Sequence, residues 1–165
     1  MVIKAEMFSS ERMDWGTPKT LFDQLNAEFG FTLDVCASAK NAKCEHYYTE
    51  ADDGLKQNWL FNVCWCNPPY GRAISDWVRK AYETQEGGGL CVMLTFARTD
   101  TRWWQDYVMR SQEIRFIKGR VKFDDPSELK SARDTAPFPS AVIVFGGPRI
   151  PTIKSMEIKT CQLMQ

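Results

Sequence analysis

The sequence predicts an α/β fold, a mostly parallel sheet ending in an antiparallel hairpin, and three observations carry that prediction. Short apolar runs alternate with segments of helical period. The helical segments are bounded by proline and glycine signals. The last two apolar runs, Glu113 to Ile117 and Ser140 to Phe145, follow one another as final strands.

Thr17-Pro18 followed by Leu21, Phe22, Leu25 and Phe29, then Gly30, predicts a helix with an N-cap, a proline in its first position and a glycine stop. Phe31 to Cys36 predicts a short buried strand leading into Ala37-Ser38-Ala39, and His46-Tyr47-Tyr48 a second strand. Leu60 to Cys66 predicts a further strand, which runs straight into Asn67-Pro68-Pro69-Tyr70-Gly71, where two prolines forbid both helix and ladder. Ile74, Trp77, Val78, Ala81 and Tyr82 fall on one helical face, and that helix closes near Gly87-Gly88-Gly89. Leu90 to Phe96 is then a strand, and Asp100 is placed to cap a helix carrying Trp103, Trp104, Tyr107 and Val108.

Parallel sheets gather their ligands beyond the carboxyl ends of the strands. Asp34, the proline motif and Arg98 all lie at such ends, which makes that edge the expected site.

The 165 residues, 44% hydrophobic and 25% charged, fit one domain spanning 1–165. No apolar run reaches the length of about 18 residues that reads as a membrane span, and the start lacks a secretory layout, so a cytoplasmic location is the default expectation. The six cysteines are then expected to be reduced. Cys44-x-His46 with Cys64-x-Cys66 could offer four zinc ligands, but neither pair has knuckle spacing, and on a strand Cys64 and Cys66 share one face as packing residues do, so no metal is expected. The 21 basic and 21 acidic side chains cancel, which leaves charge distribution to speak for a polyanionic partner. Between Arg98 and Lys122 the chain carries seven basic residues against three acids. Taken alone, such a run reads first as a solvated surface.

Asn-Pro-Pro-Tyr at a strand end suits one chemical task. An exocyclic amine on a π system is a poor nucleophile because its lone pair is delocalised. Hydrogen bonds accepted from both its N–H groups, by the Asn67 side-chain oxygen and the Pro68 carbonyl, draw the nitrogen toward a tetrahedral, more nucleophilic state. Pro68 and Pro69 hold that carbonyl rigidly, and the Tyr70 ring offers a flat face for a planar substrate. Trp65, Phe96 and Phe138 are possible opposing walls, each more often a core residue than a base contact.

The chain resembles the small phage-type DNA N6-adenine methyltransferases of the Dam-like family. The likeness is carried by Trp15-Gly16-Thr17-Pro18, Leu33-Asp34-Val35-Cys36-Ala37, Asp53-Gly54-Leu55, Asn58-Trp59, Asn67-Pro68-Pro69-Tyr70-Gly71, Gly119-Arg120-Val121-Lys122-Phe123 and Pro137-Phe138-Pro139-Ser140-Ala141. It implies a shortened Rossmann-like S-adenosylmethionine-dependent methyltransferase fold and methyl transfer to N6 of a flipped-out adenine in DNA. The cofactor pocket it implies comprises Trp15, Thr17 and Pro18, the loop of Asp34, Cys36 and Ala37, and Asp53 as a second acid. The adenine pocket is the loop from Asn67 to Tyr70. DNA contacts are expected from Arg98, Arg102, Lys118, Arg120 and Lys122, with residues 118–139, which include Lys130 and Arg133, as a DNA-contacting loop. The resemblance also implies a phage or prophage gene acting in the bacterial cytoplasm, in a setting of restriction and modification.

Two departures stand out. The strand ending at Asp34 lacks the glycine-rich loop usual in methyltransferases, and the interval from Asp34 to Asn67 is short for two intervening strands. The same tetrapeptide also serves enzymes that methylate adenine in RNA or glutamine in proteins, and a catalytically idle DNA-binding module would keep the fold.

Overall fold

The computed structural model describes residues 16–123, 136–147 and 151–159. The elements in chain order are α1 (Lys19–Phe29), β1 (Leu33–Asp34), β2 (His46–Tyr47), β3 (Val63–Cys66), α2 (Ile74–Glu86), β4 (Leu90–Phe96), α3 (Arg102–Asp106), β5 (Glu113–Ile117), β6 (Ser140–Phe145) and β7 (Thr152–Met156), with 3₁₀ turns at Glu50–Asp52, Gly54–Lys56 and Val108–Arg110.

Among the described residues seven strands form one sheet in the order β2-β1-β3-β4-β6-β5-β7. The pairs β1–β2, β1–β3, β3–β4 and β5–β7 are parallel, while β6 runs antiparallel to both β4 and β5. The expected parallel sheet with an antiparallel β5–β6 pair is therefore present. It does not end there, because β7 adds a further edge beside β5. Its sequence, Thr-Ile-Lys-Ser-Met, is exposed at three central positions and has no apolar run to announce a strand.

The strand order reverses at β1, since β2 lies on one side of it and β3 on the other. The connections leaving β1 and β3 diverge at such a point and open a crevice at the carboxyl ends. Asp34 pairs with Trp65, two residues before Asn67, so Asp34 and the proline motif leave neighbouring strands at the same edge of the sheet.

Local corrections follow from backbone geometry. Pro18 itself occupies the cap position of α1 (φ −55, ψ 134), so Thr17 is not the cap; it is buried instead. The glycine stop is as expected, with Gly30 at φ 65. The strand expected from Leu60 begins only at Val63, because Phe61 adopts φ 67, which no strand residue can. β1 covers only Leu33–Asp34 of the expected Phe31 to Cys36. Thr101, not Asp100, caps α3.

The core lies on both faces of the sheet. On one face Cys64, Cys66, Cys91 and Met93 pack beneath Trp77, Val78 and Ala81 of α2 and Trp104 of α3. On the other, Leu21, Phe22 and Leu25 of α1 cover Trp65, Val92 and Leu94. Burial of this kind is the main stabilising term for the fold. Cys64 and Cys66 share a buried face, and desolvation pushes both thiols far up, so they remain neutral packing groups. Arg115 of β5 pins the end of α1: it bonds both oxygens of Glu28, meets Glu113 at 2.9 Å and lies over the Phe29 ring.

Candidate active site

The loop that follows β1 is organised by Asp34. Its carboxylate is almost fully buried and accepts from the Cys36 amide at 3.3 Å and the Lys43 amide at 3.0 Å. Burial raises its pKa from 3.8 to about 6, against the opposing effect of those two amides. Asp34 thus shapes the loop through Lys43 while each oxygen keeps a second lone pair. Cys36 and Ala37 are half-buried along this loop, and the Ala37 amide donates to the Tyr48 carbonyl at 2.9 Å.

Asp53 is brought to the same loop by its neighbour. Gly54 packs so closely that a Cβ there would lie 2.2 Å from the Val35 carbonyl oxygen, and the Trp59 indole N–H holds the Gly54 carbonyl at 2.8 Å. Only glycine permits that approach. Asp53 itself sits at φ 51 with its carboxylate paired to Lys56 at 2.8 Å. Two carboxylates on neighbouring turns suit a cofactor that carries positive charge at its sulfonium and ammonium groups. The donor set therefore fits S-adenosylmethionine, without a glycine-rich loop. Thr17 and Pro18 stand at the start of α1, and the short turn from Gly30 to Thr32 makes α1 antiparallel to β1, which puts that start over the carboxyl end of the sheet. Trp15 lies outside the described residues.

Asn67, Pro68, Pro69 and Tyr70 follow β3 directly. Pro68 is buried and Asn67 half-buried. The Tyr70 hydroxyl donates to Asn67 Oδ1 at 2.8 Å and also lies 3.3 Å from the Leu94 carbonyl. The Tyr70 ring stacks on Phe96 with centroids 4.1 Å apart and planes 21° apart, and meets the Phe123 edge at 6.0 Å. Burial pushes the Tyr70 phenol well up, so it stays protonated and acts as a donor. Among the described residues two surface depressions lie away from Asn67, both lined in part by Asn62 at the amino end of β3.

Of the three possible walls, Trp65 is core: it is 1% exposed and packs against Phe22 and Phe31 on the α1 face. Phe96 and Phe138 do join the site, 5.6 Å apart. Phe123, which the sequence marks only by its place beside Lys122 in the Gly119–Phe123 segment, also meets Tyr70.

The basic residues divide. Arg98 is exposed after β4 and lies over the Phe138 ring at 5.1 Å, and Lys122 is exposed beside Phe123, so both flank the aromatic cluster. Arg102 is exposed at the start of α3, and Arg120 is exposed on the turn before Lys122. Lys118 is paired with Glu157 at 2.8 Å, which offsets its charge. The feet of the 118–139 loop are joined by the Ala136 amide bonding the Val121 carbonyl at 2.8 Å. Its residues 124–135, including Lys130 and Arg133, lie outside the described residues. Among the described residues no group of three or more His, Cys, Asp or Glu is placed to hold a metal ion, and no helix is long and apolar enough to cross a membrane.

Comparison with known proteins gives concordant findings. YfdM of Escherichia coli (strain K12) is 40% identical over 63 residues, 34% of this chain and 69% of that one. The DNA N-6-adenine-methyltransferase of Escherichia phage T1 is 33% identical over 112 residues, 67% of this chain and 47% of that one, so the chain spans about half the length of this relative. The family model described as DNA N-6-adenine-methyltransferase (Dam) matches residues 4–162, nearly the whole chain, and the protein belongs to that family.

Proposed function

We propose that this protein transfers a methyl group from S-adenosylmethionine to N6 of an adenine flipped out of DNA. The observation that carries the reading is the placement of Asn67-Pro68-Pro69-Tyr70 directly after β3, across the sheet's reversal point from Asp34, in a chain of this family. A Rossmann-like arrangement is supported by the reversal of strand order at β1.

S-adenosylmethionine, when bound, supplies an electrophilic methyl group on a positively charged sulfur. Thr17, Pro18, Cys36 and Ala37 would line its pocket, with Asp34 and Asp53 meeting its polar groups. Asn67 Oδ1 and the Pro68 carbonyl accept the two N6–H bonds of adenine and localise the nitrogen lone pair toward the methyl group. Transfer of the methyl group would break its bond to sulfur, which would leave as a neutral thioether, and would make the nitrogen cationic and acidic, so its proton would depart to water without a strong base. Pro69 stiffens the loop, and Tyr70 presents its ring to the base once its hydroxyl has released Asn67. A base inside a duplex cannot reach such a site, which makes extrusion necessary. Arg98, Arg102, Arg120 and Lys122 are the proposed DNA contacts, with Lys118 available when Glu157 lets it go. The phage T1 relative supports a phage or prophage setting, with DNA in the bacterial cytoplasm as the substrate.

The test is to incubate the protein with methyl-labelled cofactor and, separately, DNA, RNA and bacterial protein. Label in DNA that digests to N6-methyl-2′-deoxyadenosine supports the reading; label only in RNA or protein, or in nothing, overturns it.

A further inference from the structure

We infer that Arg98 stacks its guanidinium plane on a base flanking the target adenine, with Phe138 holding that plane in place, so that Arg98 is a specificity-determining residue. The inference rests on the DNA adenine reading above.

The backbone at Arg98 is tightly held. The Ala97 amide donates to the Pro139 carbonyl at 2.8 Å and the Arg98 amide to the Phe96 carbonyl at 2.9 Å, while the Arg98 carbonyl accepts from the Thr101 amide and hydroxyl at 3.1 and 2.7 Å. The side chain leaves this turn over the face of Phe138, 5.1 Å from the ring centroid. Phe138 leans on Phe96 at 5.6 Å, and Phe96 stacks on Tyr70 at 4.1 Å. A continuous run of planar groups therefore leads from the acceptor Asn67 outward through Tyr70, Phe96 and Phe138 to Arg98.

Arg98 is the exposed end of that run, with 44% of its side chain accessible, and among the described residues its ion pair is with Asp100 at 3.9 Å, too long for a hydrogen bond. A phosphate contact would need the charge and the N–H donors but no aromatic backing. The aromatic backing adds something only for a planar, weakly hydrated cation, whose outer face can then take a second π system. When adenine leaves the duplex its neighbours lose a stacking partner, and a base is the planar group that DNA offers at that place. Because every base has a π face, such contact produces a graded preference for purines at the flanking position.

The test compares the full chain with Arg98→Lys and Phe138→Leu on duplexes carrying one adenine between randomised flanks, read by initial rates and by sequencing of methylated products. Arg98→Lys keeps the charge and loses the plane. It is expected to raise KM for DNA about tenfold, more than it lowers kcat, and to flatten the flanking-base preference. The dependence of binding on salt should be unchanged, because the count of cations is the same. Phe138→Leu, melting like the parent, should move both readouts the same way by less. A wild-type KM and flank preference in Arg98→Lys overturns the inference, as does a raised KM with the preference intact, which marks a phosphate contact. Wild-type protein that methylates no DNA overturns the functional reading and this inference together, whereas the first two outcomes leave the functional reading standing.

Discussion

The Tyr70 hydroxyl donates to Asn67 Oδ1 at 2.8 Å, so the acceptor proposed for the substrate amine is already engaged by the neighbouring side chain. Entry of adenine must exchange that bond for its own. Tyr70→Phe is therefore expected to lower KM for DNA about two- to tenfold, the worth of one ordinary hydrogen bond, because the ring stays and the competitor goes. Tyr70→Ala, which loses the ring as well, should lower kcat/KM by at least about tenfold. Steady-state methylation of a DNA duplex by the two variants separates the roles; equal damage in both would refute the competition.

In the proposed reaction Asn67 acts on the amine and not on the cofactor. Asn67→Ala should reduce kcat by roughly a hundred- to a thousand-fold while calorimetric affinity for S-adenosylmethionine stays near wild type. Parallel loss of both would mean that Asn67 belongs to the cofactor pocket.

Asp34 links the loop after β1, the proposed cofactor loop, to pH. Its pKa is raised from 3.8 to about 6, so between those values the folded protein keeps a proton that the unfolded chain releases. The stability this group contributes is complete below the lower value, declines as pH rises through the upper one, and amounts to about 3 kcal/mol. The carboxyl carbon resonance of Asp34 should titrate near pH 6, and cofactor affinity should weaken on acidification through the same range as the carboxylate is lost. A midpoint at the ordinary Asp value would show that the loop admits water to the group.

Gly54→Ala places a methyl group 2.2 Å from the Val35 carbonyl oxygen, a backbone atom that cannot swing aside. The expected cost is about 1–3 kcal/mol, seen as a lower melting temperature, together with weaker cofactor binding because the loop after β1 is displaced. Unchanged melting and binding would show that the two turns are free to separate.

Arg115 is the stability test on the opposite face. Arg115→Met removes one of the two cations paired with Glu113, whose side chain is only 12% exposed, while Lys154 stays at 2.9 Å, and should cost about 2 kcal/mol in urea denaturation. Glu28→Gln, at a half-exposed site, should cost about 1 kcal/mol or less. Similar losses in both would place the energy in the Glu28 contact instead.

The sequence by itself determined the elements whose signal is local. The helical spacing of Ile74 to Tyr82, the glycine after Phe29 and the prolines that stop the strand before Asn67 each act within a few residues, and α1, α2 and the end of β3 follow. The α/β alternation then set Asp34, Asn67 and Arg98 at one edge, since parallel strands present their carboxyl ends together. Tertiary structure alone decided what those side chains meet. Phe61 cut β3 short through a left-handed backbone, β7 formed without an apolar run because β5 offered it an edge, and Asp34 turned its oxygens to the amides of Cys36 and Lys43. The stack of Tyr70 on Phe96, the edge of Phe123 and the cover of Arg98 over Phe138 join segments far apart in the chain. Periodicity and turn chemistry report only neighbours along the backbone, whereas partners across the sheet are chosen by register and close packing, which come into being only when the whole chain has folded.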